Sequence, residues 1–200
     1  MSTKIEDVKY MRAKLNEVMY FNNGTEVDSK LYDECMSILI TIGSEGIYEL
    51  KDEVYKLLNC DDQFIRDEAV TTLGSPNRLH LPEFRDMAYD IWLNDSSDMV
   101  RSNALSAWCG YYRESKNKDV LKRLYSILAN EGFSIDIKVV ACCGIFSTVS
   151  FNHPAFDQFN DVDKLLNCET NAEFNSKVNW DAIRDIMRQY APEALKDDDE

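Results

Sequence analysis

The residues able to do acid–base chemistry are few and stand apart. The two histidines are His80, within Asn77-Arg78-Leu79-His80-Leu81-Pro82, and His153, directly before Pro154. Each lies beside a loop or proline signal, where an imidazole serves as a surface or capping group rather than a base. No Gly-x-Ser-x-Gly, glycine-rich phosphate loop or His-Glu-x-x-His occurs. With 36 Asp and Glu residues, a carboxylate-pair mechanism stays open, yet no pair stands out. The six cysteines are Cys35, Cys60, Cys109, Cys142, Cys143 and Cys168. None forms Cys-x-x-Cys, and no histidine stands near at ligand spacing, so they read as reduced, buried thiols. Neighbours on a helix point about 100° apart, so a Cys142–Cys143 bridge would be strained. The expectation is a non-enzymatic chain with no catalytic, metal-binding or cofactor-binding residues.

One cluster has a different chemistry. Arg113, Lys116, Lys118, Lys122 and Arg123 follow Trp108, Tyr111 and Tyr112, and interleaved cations and rings can hold nucleic acid. The whole chain has the opposite sign: 22 basic against 36 acidic residues, a net charge of −14. The imbalance is steeper in residues 1–100, with 20 acids and 10 bases, than in residues 101–200, with 16 and 12. Such a surface repels phosphate backbones and anionic lipid and attracts basic partners. The cluster therefore reads as a solvated connection beside core aromatics, and nucleic acid is disfavoured.

Apolar residues make up 44% of the 200, enough for one sizeable domain. No apolar run approaches the ~20 residues that span a bilayer, and the start has no basic segment leading into an apolar one. The expected setting is the cytoplasm, with no membrane contact.

The elements that position these residues follow a repeat. Leu58-Asn59-Cys60-Asp61-Asp62-Gln63-Phe64-Ile65-Arg66 with Ala69 resembles Leu93-Asn94-Asp95-Ser96-Ser97-Asp98-Met99-Val100-Arg101 with Ala104, offset by 35 throughout. A looser copy, Ile137-Lys138 with Ala141, lies a further 37 on, and Leu165-Leu166-Asn167-Cys168-Glu169 echoes Leu57-Leu58-Asn59-Cys60-Asp61. A period of this length with helical spacing inside it means stacked helix pairs.

Apolar spacing predicts helices nearly throughout and essentially no sheet. The first carries Ile5, Val8, Met11, Leu15, Val18 and Met19, and Asn23-Gly24 ends it. The second carries Leu31, Cys35, Ile38, Leu39 and Ile42, capped by Asp28 or Ser29 and stopped at Gly43. Ser44 caps a third with Ile47, Leu50, Val54, Leu57 and Leu58 inward. A short helix over 64–73 ends at Gly74-Ser75-Pro76-Asn77. Leu81-Pro82 opens a helix burying Phe84, Met87, Ile91 and Trp92, and another runs over 99–112. Asn117 and Ser134 cap helices burying Val120, Leu121, Leu124, Ile127 and Leu128, and reaching about Val149. His153-Pro154 opens one with Phe156, Phe159, Val162, Leu165 and Leu166 inward. Trp180, Ile183, Ile186, Met187 and Tyr190 form the last.

The Asp-x-x-x-Val-Arg-x-x-Ala pattern, on Asp61 or Asp62, Ile65, Arg66 and Ala69 and on Asp98, Val100, Arg101 and Ala104, resembles the HEAT-repeat family over about residues 30–150. The resemblance implies an all-α, HEAT-like right-handed superhelix of about five antiparallel helix pairs: a single solenoid domain over 1–195 with an acidic tail at 196–200. In physical terms, Ala lets helices approach, the Asp suits a helix N-terminus, and the Arg bridges to aspartates of its own or the next turn. These residues read as structural. Second helices of such pairs line a concave face. Positions recurring with the period are Asp67 with Ser102, Glu68 with Asn103 and Thr71 with Ser106, joined by Tyr111 and Tyr112 further along. These eight form the candidate partner-binding face, and the expected partner is one basic protein. An immunity protein neutralising a basic toxin is one form of this reading. The alternatives are an enzyme or chromophore lyase with a ligand pocket between helices, as some HEAT-like proteins are, and nucleic-acid binding through the basic cluster.

Overall fold

The computed structural model describes residues 2–21, 28–157 and 160–195. The expected break at Asn23-Gly24, the inward Phe159, the side chain of Ile5 and the tail 196–200 lie outside the described residues or side chains. Among the described residues there are eleven α-helices, three 3-10 turns and no strand. The chain divides into two compact units, Met1–Trp108 and Cys109–Glu200.

The first unit contains α1 (Ser2–Phe21), α2 (Ser29–Glu45), α3 (Lys51–Leu57), α4 (Gln63–Gly74), α5 (Arg85–Asn94) and most of α6 (Asp98–Gly110). Helix α1 packs on α2 and α3, and α4 packs on α2, α3 and α5. Leu39, Ile42, Leu50, Val54, Leu57, Ile65, Ala69, Leu73, Phe84 and Ala104 are fully enclosed. The stripe of α2 falls wholly on the core, whereas on α1 Leu15 and Val18 are buried and Val8, Met11 and Met19 are half-buried. A Cβ at Gly74 would stand 2.7 Å from the Cβ of Ala107 and 2.8 Å from the Phe84 ring, so the end of α4 touches its neighbours through bare backbone.

Several boundaries differ from expectation. Helix α2 runs through Gly43 to Glu45 and is closed by Gly46 in the left-handed region (φ 68°). Gly43 serves packing: the Arg78 side chain lies where its Cβ would be, 2.7 Å from Cδ. Ser44 caps nothing and donates back to the Thr41 carbonyl. A 3-10 turn, Tyr48–Leu50, leads into α3, and another, Pro82–Phe84, leads into α5. Met87 is 42% exposed, because Ala88 and Trp92 take the inward face of α5.

The second unit contains the end of α6, then α7 (Lys118–Ala129), α8 (Ile135–Val149), α9 (Asn160–Leu166), α10 (Asn171–Lys177) and α11 (Trp180–Tyr190), with a 3-10 turn at Pro192–Leu195. Helices α7 and α8 form a tight pair, eased by Gly144, whose Cβ would meet Cys109 Sγ at 2.7 Å and Leu124 at 3.0 Å. His153–Asp157 is a turn instead of the first turn of a helix, and Leu166 is 47% exposed. Helix α10, unforeseen, is capped by Thr170 accepting from Glu173 N–H. Helix α11 packs on α7 and α8, a return that simple successive pairing does not foresee.

The N-cap positions carry the period. The residues immediately before α4, α6, α8 and α10 are Asp62, Ser97, Ser134 and Thr170, spaced by 35, 37 and 36. Asp62 accepts from the N–H groups of Phe64 and Ile65 at 2.8 and 3.1 Å, satisfying donors a helix start leaves open. Asn117 does the same for α7. Ser134 makes no such bond, and its hydroxyl is buried without a partner.

Candidate functional site

In the first unit the arginine of one motif copy reaches an aspartate of the next. Arg66 meets Asp95 with two parallel bonds of 2.9 Å, Nε to Oδ2 and Nη2 to Oδ1. Its Nη1 donates to the carbonyls of Cys60 and Asp61 at 2.8 and 3.0 Å. Both side chains are about nine-tenths covered, at 12% and 11% exposure. Burial alone would raise the Asp95 pKa, but hydrogen bonds from Arg66 and Ser97 N–H outweigh it and hold the carboxyl below its ordinary range. Arg101 bonds the Trp92 carbonyl and Asp98, with its guanidinium over the Trp92 ring at 5.0 Å. In the second unit Lys138, the third copy's cation, is 1% exposed and donates to Asn171 at 2.8 Å. Asn171 opens α10, so the bond again reaches the start of a later helix.

Four of the six expected binding residues on α4 and α6, Asp67, Thr71, Asn103 and Ser106, come together. Asn103 donates to Asp67 at 2.7 Å, joining the two helices. Thr71, one turn beyond Asp67, lines a cavity of about 100 Å³ with Asn103 and Ser106. Ser75, Pro76 and Ala107 complete its wall. The repeat register does not single out these three. In the sequence Ser75 and Pro76 signal a helix stop, and Ala107 is buried at 4% exposure. Ser102 is half-buried and is not part of the cavity wall.

The electrostatics are unusual for acidic side chains. Asp67 is half-buried, and its carboxyl is raised by burial, partly opposed by the Asn103 bond and reinforced by Asp95. Glu68 is also raised by burial, against the pull of Arg78. Arg78 Nη1 stands 3.5 Å from Glu68 Oε1 but spends its well-formed bond on the Ile40 carbonyl at 3.0 Å. Glu68 Oε1 is thus buried near a cation without a hydrogen bond. Two adjacent carboxylates are held where their charge is costly, a pattern common at functional sites.

Tyr111 and Tyr112 belong to the second unit and are half-buried. Trp108 is buried in the first unit, its ring 5.0 Å from that of Tyr89. The basic cluster follows Tyr112. Glu114 and Lys116 there take left-handed backbone (φ 56° and 53°), and their N–H groups bond the carbonyls of Ser147 and Thr148. Arg113 covers the Phe151 ring at 4.5 Å, Lys116 the Tyr190 ring at 5.8 Å, and Lys122 lies 3.8 Å from Glu193. Part of the cluster's positive charge is therefore engaged within the unit.

His80 has φ 45°, and its Nδ1 lies 2.8 Å from the Gly74 carbonyl, so it closes the end of α4. His153 Nδ1 accepts from Ala155 N–H at 3.3 Å, and burial lowers its pKa. All six cysteines are free thiols. Burial pushes Cys35 and Cys143 up to about 12 and Cys142 well above its ordinary value, which keeps these thiols protonated and poor nucleophiles. Among the described residues no three of His, Cys, Asp and Glu group to hold a metal, and no helix is long and apolar enough to cross a membrane.

No protein-family model, curated protein or solved structure matches the chain.

Proposed function

We propose that this protein is a HEAT-like stack of helix pairs that binds a basic protein partner through the face formed by α4 and α6. The 35–37-residue spacing of the caps and the cation of each motif copy support the stack. The observation that carries the binding reading is the polar cavity of Thr71, Asn103 and Ser106 beside the half-buried carboxylates Asp67 and Glu68. An acidic wall with polar hollows suits an arginine- or lysine-bearing partner, whose charge would offset the cost of burying these acids. Ser102 flanks this face. Tyr111 and Tyr112, in the second unit, are proposed as partner contacts in their own right, since aromatic side chains often anchor partners. An immunity-type role, in which this acidic chain neutralises one basic protein, is the specific form proposed; a partner encoded beside it is expected.

The test is capture from native lysate at low salt with identification of the bound protein. Wild type should retain one basic partner. Ser106→Arg, an exposed site at the cavity, should lose it while leaving the thermal midpoint unchanged. Glu68→Lys is the poorer probe, because it would set two cations against each other beside Arg78. Equal capture by wild type and Ser106→Arg would remove this face as the binding surface.

A further inference from the structure

The second unit contains a larger cavity, of about 280 Å³, among α8, α9, α10 and the cap of α11. Its chemistry differs from that of the α4–α6 face. Phe156 and Leu165, with 8% and 2% exposure, supply apolar wall, and the Cys142 thiol adds to it. The Phe156 ring stacks on Phe146 at 4.6 Å with an interplanar angle of 9°, so this wall is braced from behind. The polar groups are Asp161, Lys164, Lys177 and Asn179.

These groups are not equally available. Asp161 accepts from the Asp157 N–H at 2.9 Å. Asn179 accepts from Ala182 N–H with its oxygen, and its Nδ2 is 3.4 Å from the Ala155 carbonyl, a long bond that a better acceptor could replace. Lys177 is paired with Glu173 at 2.7 Å, and an ammonium has three donors. Lys164 is exposed and pairs with no carboxylate among the described residues. In a chain of net charge −14, this lining holds two cations against one acid.

We infer that this cavity binds a small organic anion, a monocarboxylate with an apolar body, its carboxylate on Lys164 and Lys177 and its body against Phe156 and Leu165. The volume lies just below the ~300–1,000 Å³ of drug-sized sites, which sets the ligand at metabolite size. An inorganic anion would leave the apolar wall unused, and an apolar neutral molecule would gain nothing from the two ammonium groups. The thiol lies against the ligand as a protonated apolar group, so the assigned activity is binding alone.

The experiment uses the full chain, backbone amide resonances and four probes at millimolar concentration: benzoate, 4-methyl-2-oxopentanoate, benzyl alcohol and inorganic phosphate. The two carboxylates should shift the resonances of Phe156, Lys164, Leu165, Lys177 and Asn179 in a saturable way. Benzyl alcohol and phosphate should each bind about tenfold more weakly or worse. Lys164→Gln, at an exposed position, should weaken benzoate about tenfold with an unchanged thermal midpoint, and Lys164→Arg should restore most of it. Equal binding of benzyl alcohol, equal binding of phosphate, no saturable shift with either carboxylate, or full affinity in Lys164→Gln would each overturn the assignment. None of these results bears on the α4–α6 face.

Discussion

Replacing Arg66 by Met should be among the most damaging single changes in the first unit. The substitution keeps most of the volume and removes four bonds: two to Asp95 at 2.9 Å and one each to the Cys60 and Asp61 carbonyls. Asp95 would remain about nine-tenths covered with the Ser97 N–H at 2.8 Å as its remaining described donor. Breaking a fully buried pair costs about 3–5 kcal/mol; slight exposure lowers the expectation to about 2–4 kcal/mol. At roughly 2–4 °C per kcal/mol for a chain of this size, the midpoint should fall by about 4–16 °C. Asp95→Asn should cost less, since an amide oxygen still accepts one guanidinium N–H. Met at 66 with Leu at 95 should recover part of the loss, because no lone charge remains buried. The pH dependence has a defined sign. The Asp95 carboxyl is held below its unfolded value, so its stabilisation is present above that value and is lost as pH falls through the depressed one. The penalty of Arg66→Met should therefore shrink in acid. Thermal unfolding of the four proteins from neutral to acid pH measures this. A midpoint change under about 1 °C for Arg66→Met at neutral pH would refute the reasoning.

Glu68→Gln should stabilise the chain or leave it unchanged at neutral pH. The Glu68 carboxyl is raised by burial, so its charge opposes folding above its unfolded pKa, and the gain should vanish as pH falls below that value; thermal scans at both ends check it. Gly74→Ala should cost about 1–3 kcal/mol by denaturant unfolding, because the new methyl meets Ala107 and Phe84, and Ala107→Gly should recover part of it. Lys138→Met should be neutral or stabilising, since burial depresses the ammonium and Asn171 keeps its bond to the Glu131 carbonyl, whereas Lys138→Ala should cost about 2 kcal/mol or more through the space left behind.

The local signals that held were those with a single physical meaning. Asp28, Asp62 and Asn117 cap because a short oxygen-bearing side chain before an apolar stripe has few other uses. The Arg66–Asp95 bond was legible as a type of contact, an arginine reaching an aspartate of its own or the next turn, from the repeat alone. Gly43 misled because glycine has two roles, and here close packing of Arg78 outranks chain termination. Met87 misled because Ala88, too small to mark a stripe, is the residue facing inward. Helix α10 went unread because Phe174 alone gives it an apolar face, too little for a period to register. At the candidate face, the register brings Thr71 and Ser106 to one cavity, while the approach of Glu68 to Arg78 involves a loop that carries no periodic signal.

The carboxylate of Asp95 serves two masters. Its Oδ1 takes one N–H from Arg66 on α4 and another from Ser97 at the start of α6. The opening turns of these helices are thereby tied to a single atom, and neither end can fray without weakening its counterpart's anchor. Amide hydrogens near Ile65 and near Arg101 should accordingly exchange with solvent in concert, as one opening event shared by two segments distant in the chain.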